Sequence, residues 1–191
     1  MGNRLTGTRR LTGTRIAFLA TDGVEQVELT EPLRAARREG ADVRLLNIED
    51  SEIQGFNHLD KAGSFPIDGV VANADTSEFD GLVLPGGVAN PDRLRTDKDA
   101  VAFVRGFFDQ GKPVAAICHG PWTVVEAGAA TGRTMTSWPS LRTDIENAGG
   151  TWVDEELHVD GNLVTSRKPD DLPAFCNQMV EIMSSAGARS R

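Results

Sequence analysis

The residues of this sequence that could do chemistry meet at positions 115–122, which read AAICHGPW. Cys118 follows an apolar run typical of a buried strand and precedes Gly-Pro, which is typical of a helix start. Ala116 and Gly120 are the small neighbours that a nucleophile needs in a strained turn between strand and helix. We therefore interpret Cys118 as a nucleophile at such an elbow, where the helix N-terminus is expected to lower the pKa of its thiol. The alternative is a small buried hydrophobic residue, the commoner role of a free cysteine.

Three further features are candidates for the same site. His119 is the natural base for a cysteine nucleophile, although neighbouring residues in a tight turn usually point apart. Glu25 and Glu28 lie in or just after the loop that follows the first predicted strand, where a carboxyl near the sulfur could share its proton. Taken alone, each glutamate is better explained as favourable charge at a helix start. Gly86 and Gly87 form a pair whose backbone N–H groups could approach a ligand, as an oxyanion hole requires.

The other cysteine and histidines fit structural roles. Cys176 lies in an apolar helical run and is predicted to belong to the core. His58 in a loop and His158 in a strand are predicted to be exposed side chains. No spacing of histidines, cysteines and acids is typical of a metal site, so no metal is predicted. No GxGxxG, P-loop or HExxH motif is present, which argues against a dinucleotide, a nucleoside triphosphate or a zinc protease, and we predict no cofactor.

The elements that must position these residues alternate between strands and helices. Strand-like runs are predicted at 15–20, 42–48, 80–84, 114–117, 134–137, 151–159 and 162–166, and helices at 29–39, 96–110, 121–127, 141–148 and 172–184. A small hairpin is expected between residues 51 and 74. Continuous apolar strands alternating with helices indicate an α/β fold with a mostly parallel sheet covered on both faces. Such sheets bind ligands at the carboxyl ends of their strands, where the loops at 21–28, 85–95 and 118–121 meet.

Composition limits the partners and the compartment. The chain has 191 residues, enough for one well-buried domain, and a net charge of −8, which disfavours nucleic acid and anionic membranes as partners. No apolar run is long enough to span a membrane, and two widely separated cysteines suit the reducing cytoplasm. The hexapeptide RLTGTR occurs twice, at 4–9 and 10–15. We predict a basic flexible tail over residues 1–14 and one domain over residues 15–191.

Several motifs taken together are similar to one known family. The segments AICHGP, EFDGLVLPGG, TSWP and LVTSRKPDDLPAF resemble the PfpI-type intracellular cysteine protease and stress-protein family, within the superfamily of the parkinsonism-associated deglycase. The likeness runs from about residue 15 to about residue 183. It implies a flavodoxin-like three-layer sandwich of the class I glutamine-amidotransferase type. Trp138 stands in the implied pocket where similar proteins often carry tyrosine.

The resemblance also implies roles for individual residues. It implies a reactive Cys118 followed by His119, with Glu28 as the carboxyl that contacts the cysteine and Glu25 as a second acid nearby. Asp92 matches the position from which related proteases supply an acid to the histidine across a subunit interface. A homodimer or higher oligomer is therefore implied.

Two functions from different classes fit these residues. In the first, a stress-associated hydrolase, the Cys118 thiolate attacks the carbonyl of a peptide or of a glyoxal-derived adduct on a glycated protein. The N–H groups of Gly87 and His119 then stabilise the oxyanion. In the second, a redox sensor or chaperone, Cys118 is oxidised to a sulfinate that Glu28 stabilises, without turnover. A scaffold that has kept the fold and lost the chemistry is a third alternative.

Overall fold

A computed structural model describes residues 9–187 of the chain. Its strands are β1 Arg15–Leu19, β2 Val24–Glu25, β3 Asp42–Asn47, β4 Ile53–Asn57, β5 Asp60–Phe65, β6 Gly69–Val70, β7 Gly81–Leu84, β8 Val114–Ile117, β9 Thr134–Met135, β10 Thr151–Trp152, β11 Leu157–Asp160 and β12 Leu163–Ser166. Its α-helices are α1 Gln26–Arg38, α2 Ala89–Leu94, α3 Lys98–Asp109, α4 Pro121–Glu126, α5 Arg142–Asn147 and α6 Leu172–Gly187. Single turns of 3₁₀ helix cover Val71–Asn73, Thr76–Glu78, Pro139–Leu141 and Pro169–Asp171.

Seven strands form the central sheet in the order β11-β12-β8-β7-β1-β3-β6. Every neighbouring pair is parallel except β11 and β12, which pair antiparallel. Successive side chains of a strand point to opposite faces, so Phe18 of β1 packs into a core with α1 and α6, whereas Leu19 packs into a second core with α3, α4 and α5. The fold is therefore a three-layer α/β sandwich with a mostly parallel sheet, as the sequence predicts. No helix within residues 9–187 is both long enough and apolar enough to cross a bilayer.

A small second sheet stands beside the carboxyl ends of the central strands. The antiparallel strands β4 and β5 form the predicted hairpin, and β2 pairs in parallel with β4 by aligning Val24 with Gly55 and Glu25 with Phe56. This pairing holds the hairpin next to the loop that leads from β1 into α1. The hairpin turn consists of His58 and Leu59.

The prediction of one continuous strand over residues 151–159 is wrong. The segment forms two short strands instead, because β10 pairs with β9 and β11 pairs with β12. Between them, Asp154 forms an ion pair with Arg167 at 2.8 Å. The helix α2 is a second difference, since the sequence predicts only a loop between β7 and α3.

The predicted boundary of a flexible tail at residue 14 is also wrong. Leu11 is fully buried, at 0% exposure, in the core that α1 and α6 share. Its backbone N–H donates a hydrogen bond of 2.9 Å to the carbonyl of Glu39 at the end of α1. The second copy of the hexapeptide therefore packs as part of the domain, and the prediction for residues 1–8 lies outside the described residues.

Candidate active site

Cys118 lies directly after β8, in the elbow that leads into α4. Its φ is +62°, a left-handed conformation that costs a non-glycine residue energy and is typical of strained functional turns. The elbow is tight, because a Cβ on Gly120 would lie 2.5 Å from the carbonyl oxygen of Leu84, and one on Gly86 would lie 2.6 Å from Cys118 Cβ. Small residues are thus required both after the cysteine and on the neighbouring loop.

The imidazole of His119 contacts the sulfur of the preceding residue. The distance from Cys118 Sγ to His119 Nδ1 is 3.2 Å, although neighbouring side chains in a tight turn were expected to point apart. On its other side, His119 Nε2 lies 3.4 Å from Ser140 Oγ. The ring stacks on Trp138 at a centroid distance of 5.8 Å and meets the edge of Trp122 at 5.6 Å. These contacts fix the ring beside the thiol.

Glu28 reaches the sulfur from the first turn of α1. The residue is fully buried, and its Oε2 accepts a hydrogen bond of 3.0 Å from the Gly86 N–H. Its Oε1 has no nitrogen or oxygen partner among the described residues, and the carboxyl interacts with the Cys118 thiol. Burial first, and then the neighbouring charge of Glu25, raise the pKa of Glu28 to about 8, although the hydrogen bonds with Cys118 and Gly86 act in the opposite direction. Glu28 is therefore mostly protonated at neutral pH and can donate a hydrogen bond to the sulfur.

The prediction that the helix N-terminus lowers the pKa of the Cys118 thiol is wrong. Burial raises this pKa, and the negative charge of an ionised Glu28 raises it further. The backbone N–H groups of Gly87 and His119 point toward the sulfur and act in the opposite direction without reversing the shift. Burial also lowers the pKa of His119 to about 4, so its ring is neutral at physiological pH. The resting pair is a neutral thiol beside a neutral base.

The sulfur opens into a cavity of about 530 Å³ at the carboxyl edge of the sheet. Cys118 is 6% exposed, and that exposure lies on this cavity. The walls are largely apolar, and three of the large apolar side chains that are exposed to solvent lie on its rim: Leu59, Val88 and Trp138. An elongated group with apolar flanks can therefore reach the thiol from solvent.

Asn90 fixes the loop that carries the two glycines. Its side chain is fully buried, and its Nδ2 donates to the carbonyls of Pro85 and Gly86 at 3.0 and 2.9 Å. Its Oδ1 accepts the N–H of Thr21 at 2.8 Å. Since these bonds join the loop after β7 to the loop after β1, the N–H of Gly87 is held toward the sulfur before any ligand binds.

Comparison with known proteins now identifies the family. The DJ-1/PfpI family matches residues 14–182. The chain belongs to this family. It is 41% identical over 169 residues to a deglycase of Thermococcus kodakarensis, covering 88% of this chain and 99% of that protein. It is 40% identical over 172 residues to Protein/nucleic acid deglycase 2 of Escherichia coli, covering 90% of this chain and 98% of that protein.

Solved structures agree with the DJ-1/PfpI assignment. A two-domain protein of Anabaena variabilis, with DJ-1/ThiJ/PfpI-like and ferritin-like domains, superposes with a TM-score of 0.85 at 35% identity. The match covers 92% of this chain and 49% of that one, so this chain spans about half its length. Schizosaccharomyces pombe DJ-1 superposes with a TM-score of 0.79 at 18% identity, which shows the shared fold. The resemblance predicted from the sequence motifs is confirmed at the level of family and fold.

The cavity of this DJ-1/PfpI protein brings together most of the residues singled out in the sequence. Six of them line it: Cys118, His119, Glu25, Glu28, Gly87 and Trp138. Gly86 lies behind the cavity, where its N–H binds Glu28. Asp92 is different, because it lies exposed on α2 and makes no hydrogen bond or ion pair with His119 of its own chain. Among residues 9–187, no three histidine, cysteine or acidic side chains are grouped so as to hold a metal ion.

Sequence reasoning missed three residues of the site. Asn90 lies in α2 and Ser140 in the 3₁₀ turn Pro139–Leu141. Both are ordinary polar residues in segments for which the sequence predicts no helix or strand, and no local pattern distinguishes them. His58 was predicted to be an exposed loop residue, and it is exposed, but it also lines the cavity. Its φ of +58° gives it the second positive value among described non-glycine residues, after Cys118.

Proposed function

We propose that this protein is a cysteine-dependent hydrolase that removes glyoxal-derived adducts, with Cys118 as nucleophile and His119 as base. The observation that carries the proposal is the 3.2 Å contact between Cys118 Sγ and a neutral His119 Nδ1 at the edge of an open cavity. The relatives named as deglycases, which match over nearly their whole length, support this substrate class.

The geometry supports a first step in which His119 accepts the thiol proton as sulfur bonds to the carbonyl carbon. The carbonyl electron pair then moves onto oxygen, where the N–H groups of Gly87 and His119 can donate hydrogen bonds. The C–N bond on the neighbouring carbinol carbon then breaks as the proton of its O–H group passes to nitrogen, which releases the amine and leaves an aldehyde. Collapse of the C–S bond frees the dicarbonyl and returns the proton from His119 to the sulfur. The required tautomer carries its proton on Nε2, which can donate to Ser140 Oγ. A protonated Glu28 avoids a second negative charge beside the sulfur while charge develops.

An aldehyde or ketone carbonyl suits this site better than a peptide carbonyl. The thiol is protonated at rest, and within the described chain the histidine is oriented by a hydroxyl rather than by a carboxylate. An amide is less electrophilic and requires a stronger nucleophile. Peptides are the alternative substrate class, and incubating the protein with fluorogenic peptides tests this alternative.

Trapping the covalent intermediate tests the proposed function. Wild-type protein is mixed with the methylglyoxal adduct of N-acetyl-lysine, quenched in acid and mapped by mass spectrometry. We expect an adduct mass on Cys118 during turnover and none on Cys176, because Cys118 contacts His119 and opens into the cavity, whereas Cys176 lies between α1 and α6, away from the cavity and from His119. Turnover without any adduct on Cys118, or equal labelling of both cysteines, would contradict the mechanism.

Ser140 is proposed to position His119. Because the contact of 3.4 Å is long, we expect Ser140→Ala to lower kcat only about threefold to tenfold, with KM nearly unchanged. Ser140→Thr, which retains the hydroxyl, should recover most of the rate. A KM effect without a kcat effect would instead place Ser140 among the substrate contacts.

The redox alternative is less well supported. Oxidation of a cysteine proceeds through its thiolate, and burial favours the protonated form of Cys118. Mild peroxide, followed by peptide mapping, distinguishes the two functions. Selective conversion of Cys118 to a sulfinate in a protein that turns over no adduct would favour the sensor.

Self-association is also proposed rather than shown. Asp92 is exposed and makes no hydrogen bond or ion pair with His119 of its own chain, so an acid role at the histidine would require Asp92 from a second copy. Exposed Val88, close to Asp92 in sequence, provides apolar surface for such a contact. The two free thiols are compatible with the cytoplasm that the sequence predicts.

A further inference from the structure

The turn of the β4–β5 hairpin contains a residue that its backbone conformation disfavours. His58 has a φ of +58° at the first position of a two-residue turn, followed by Leu59. A tight hairpin turn with positive φ at its first position normally takes glycine there, because a side chain is strained. The other described non-glycine residue with positive φ is Cys118, and both residues line the same cavity.

The position of His58 is tied to the loop that carries the oxyanion donors. Its backbone N–H donates a hydrogen bond of 3.0 Å to Glu25 Oε2. The N–H of Glu25 in turn donates to the carbonyl of Gly86 at 3.3 Å. Since β2 also pairs with β4, the hairpin turn and the Gly86-Gly87 loop are held in one fixed arrangement around the thiol.

The imidazole of His58 is available to a ligand. Within residues 9–187 its ring nitrogens have no hydrogen-bond or ion-pair partner, in contrast to His119 and His158, whose rings contact Ser140 and Glu155. Phe56 and Leu59 flank it on the cavity wall with apolar surface. A strained residue with an unused polar ring on the wall of a cavity is best explained by contact with what the cavity binds.

We propose that His58 is a specificity-determining residue that hydrogen-bonds the substrate at an oxygen next to the reacting carbonyl. This inference rests on the proposed function and extends it. An imidazole can donate to a carbonyl or hydroxyl oxygen, or accept from a hydroxyl, so it selects adducts that carry oxygen on two adjacent carbons. A ketone analogue without an oxygen on the neighbouring carbon keeps the reacting carbonyl and loses this contact.

Replacing His58 by glycine separates the proposal from a purely structural role. Glycine accepts the positive φ without strain, so we expect His58→Gly to unfold at the same or a higher temperature than wild type. We expect its KM for the methylglyoxal adduct of N-acetyl-lysine to rise roughly tenfold, with kcat changed less than about threefold. The rate of Cys118 alkylation by iodoacetamide should stay within about twofold, because the elbow is untouched.

Three comparisons make the test decisive. Asparagine tolerates the same backbone conformation, and its side-chain amide can still donate or accept a hydrogen bond, so His58→Asn should recover part of the affinity for the methylglyoxal adduct. The control His158→Asn should match wild type. For the N-acetonyl derivative of N-acetyl-lysine, whose ketone has no oxygen on the neighbouring carbon and which cannot release the amine, wild type and His58→Gly should show equal inhibition constants. Unchanged KM for the methylglyoxal adduct in a stable, active His58→Gly protein would overturn the role of His58 and leave the function standing. Turnover by wild type no faster than by Cys118→Ser would overturn the function itself.

Discussion

Cys118→Ser should lower the rate of adduct removal by at least about 10³-fold, the largest effect we expect for a single substitution. A serine hydroxyl is a much weaker acid than a thiol, and a histidine whose pKa has fallen to about 4 is a weak base for it. The substitution preserves the size of the side chain, so the elbow and the cavity should remain intact. The rate is measured as release of free N-acetyl-lysine, and circular dichroism reports whether the fold is retained.

Cys176→Ser is the matched control for that experiment. Cys176 lies half-buried on α6 against α1, away from the cavity, so its replacement should leave the rate within about twofold of wild type. If Cys118→Ser folded normally and retained wild-type turnover, the thiol would not be the nucleophile, and its 3.2 Å contact with His119 would not contribute to catalysis.

Local chemistry explains why the elbow could be predicted from sequence. A buried strand ending in Cys118, with alanine before it and glycine after it, has few structural solutions. The parallel-sheet pattern then places the loops after β1, β7 and β8 at one edge, which brings Glu28, Gly87 and Cys118 together. These residues come together because β1, β7 and β8 are parallel, and the alternation of strands with helices predicts that parallel arrangement.

Non-local packing explains what the sequence could not predict. The pKa of the thiol depends on how many neighbours exclude water from it, and burial outweighs the backbone N–H groups. His58 joins the cavity because β4 pairs with β2, a contact between two-residue and five-residue strands that no local pattern indicates. Leu11 belongs to the second of two copies that are identical in sequence, and its burial depends on contacts with α1 and α6 that no local pattern indicates.

Glu28→Gln should change how the stability of the protein depends on pH. In the folded protein the pKa of Glu28 is about 8, whereas an unfolded chain has the ordinary value of 4.5. The folded state therefore holds a proton that the unfolded state has lost, and the free energy of unfolding falls as pH rises from 4.5 to 8. Glutamine keeps the shape of the side chain and has no proton to lose, so this fall should be absent in the variant.

The titration of His119 limits the pH range in which the contribution of Glu28 to the unfolding free energy can be measured. Its folded pKa of about 4 lies below the ordinary 6.5, so the unfolded state binds the extra proton and stability rises with pH over that range. Between pH 4.5 and 6.5 the two groups therefore change the unfolding free energy in opposite directions. Above pH 6.5 only the contribution of Glu28 is left. Between pH 6.5 and 8 it should lower the unfolding free energy of wild type by about 2 kcal/mol relative to Glu28→Gln.

Urea unfolding at pH 5, 6.5 and 8 measures this difference. Glu31→Gln is the matched control, since Glu31 lies one turn further along α1 and pairs with Arg34 at the surface. The unfolding free energy of Glu31→Gln should fall between pH 6.5 and 8 as it does in wild type, whereas that of Glu28→Gln should not. Removing the carboxylate also removes negative charge from beside the sulfur, so Cys118 of Glu28→Gln should react with iodoacetamide at lower pH than in wild type. Parallel stability curves for wild type and Glu28→Gln would mean that Glu28 is ionised in the folded protein, and a thiol beside that charge would be still harder to deprotonate.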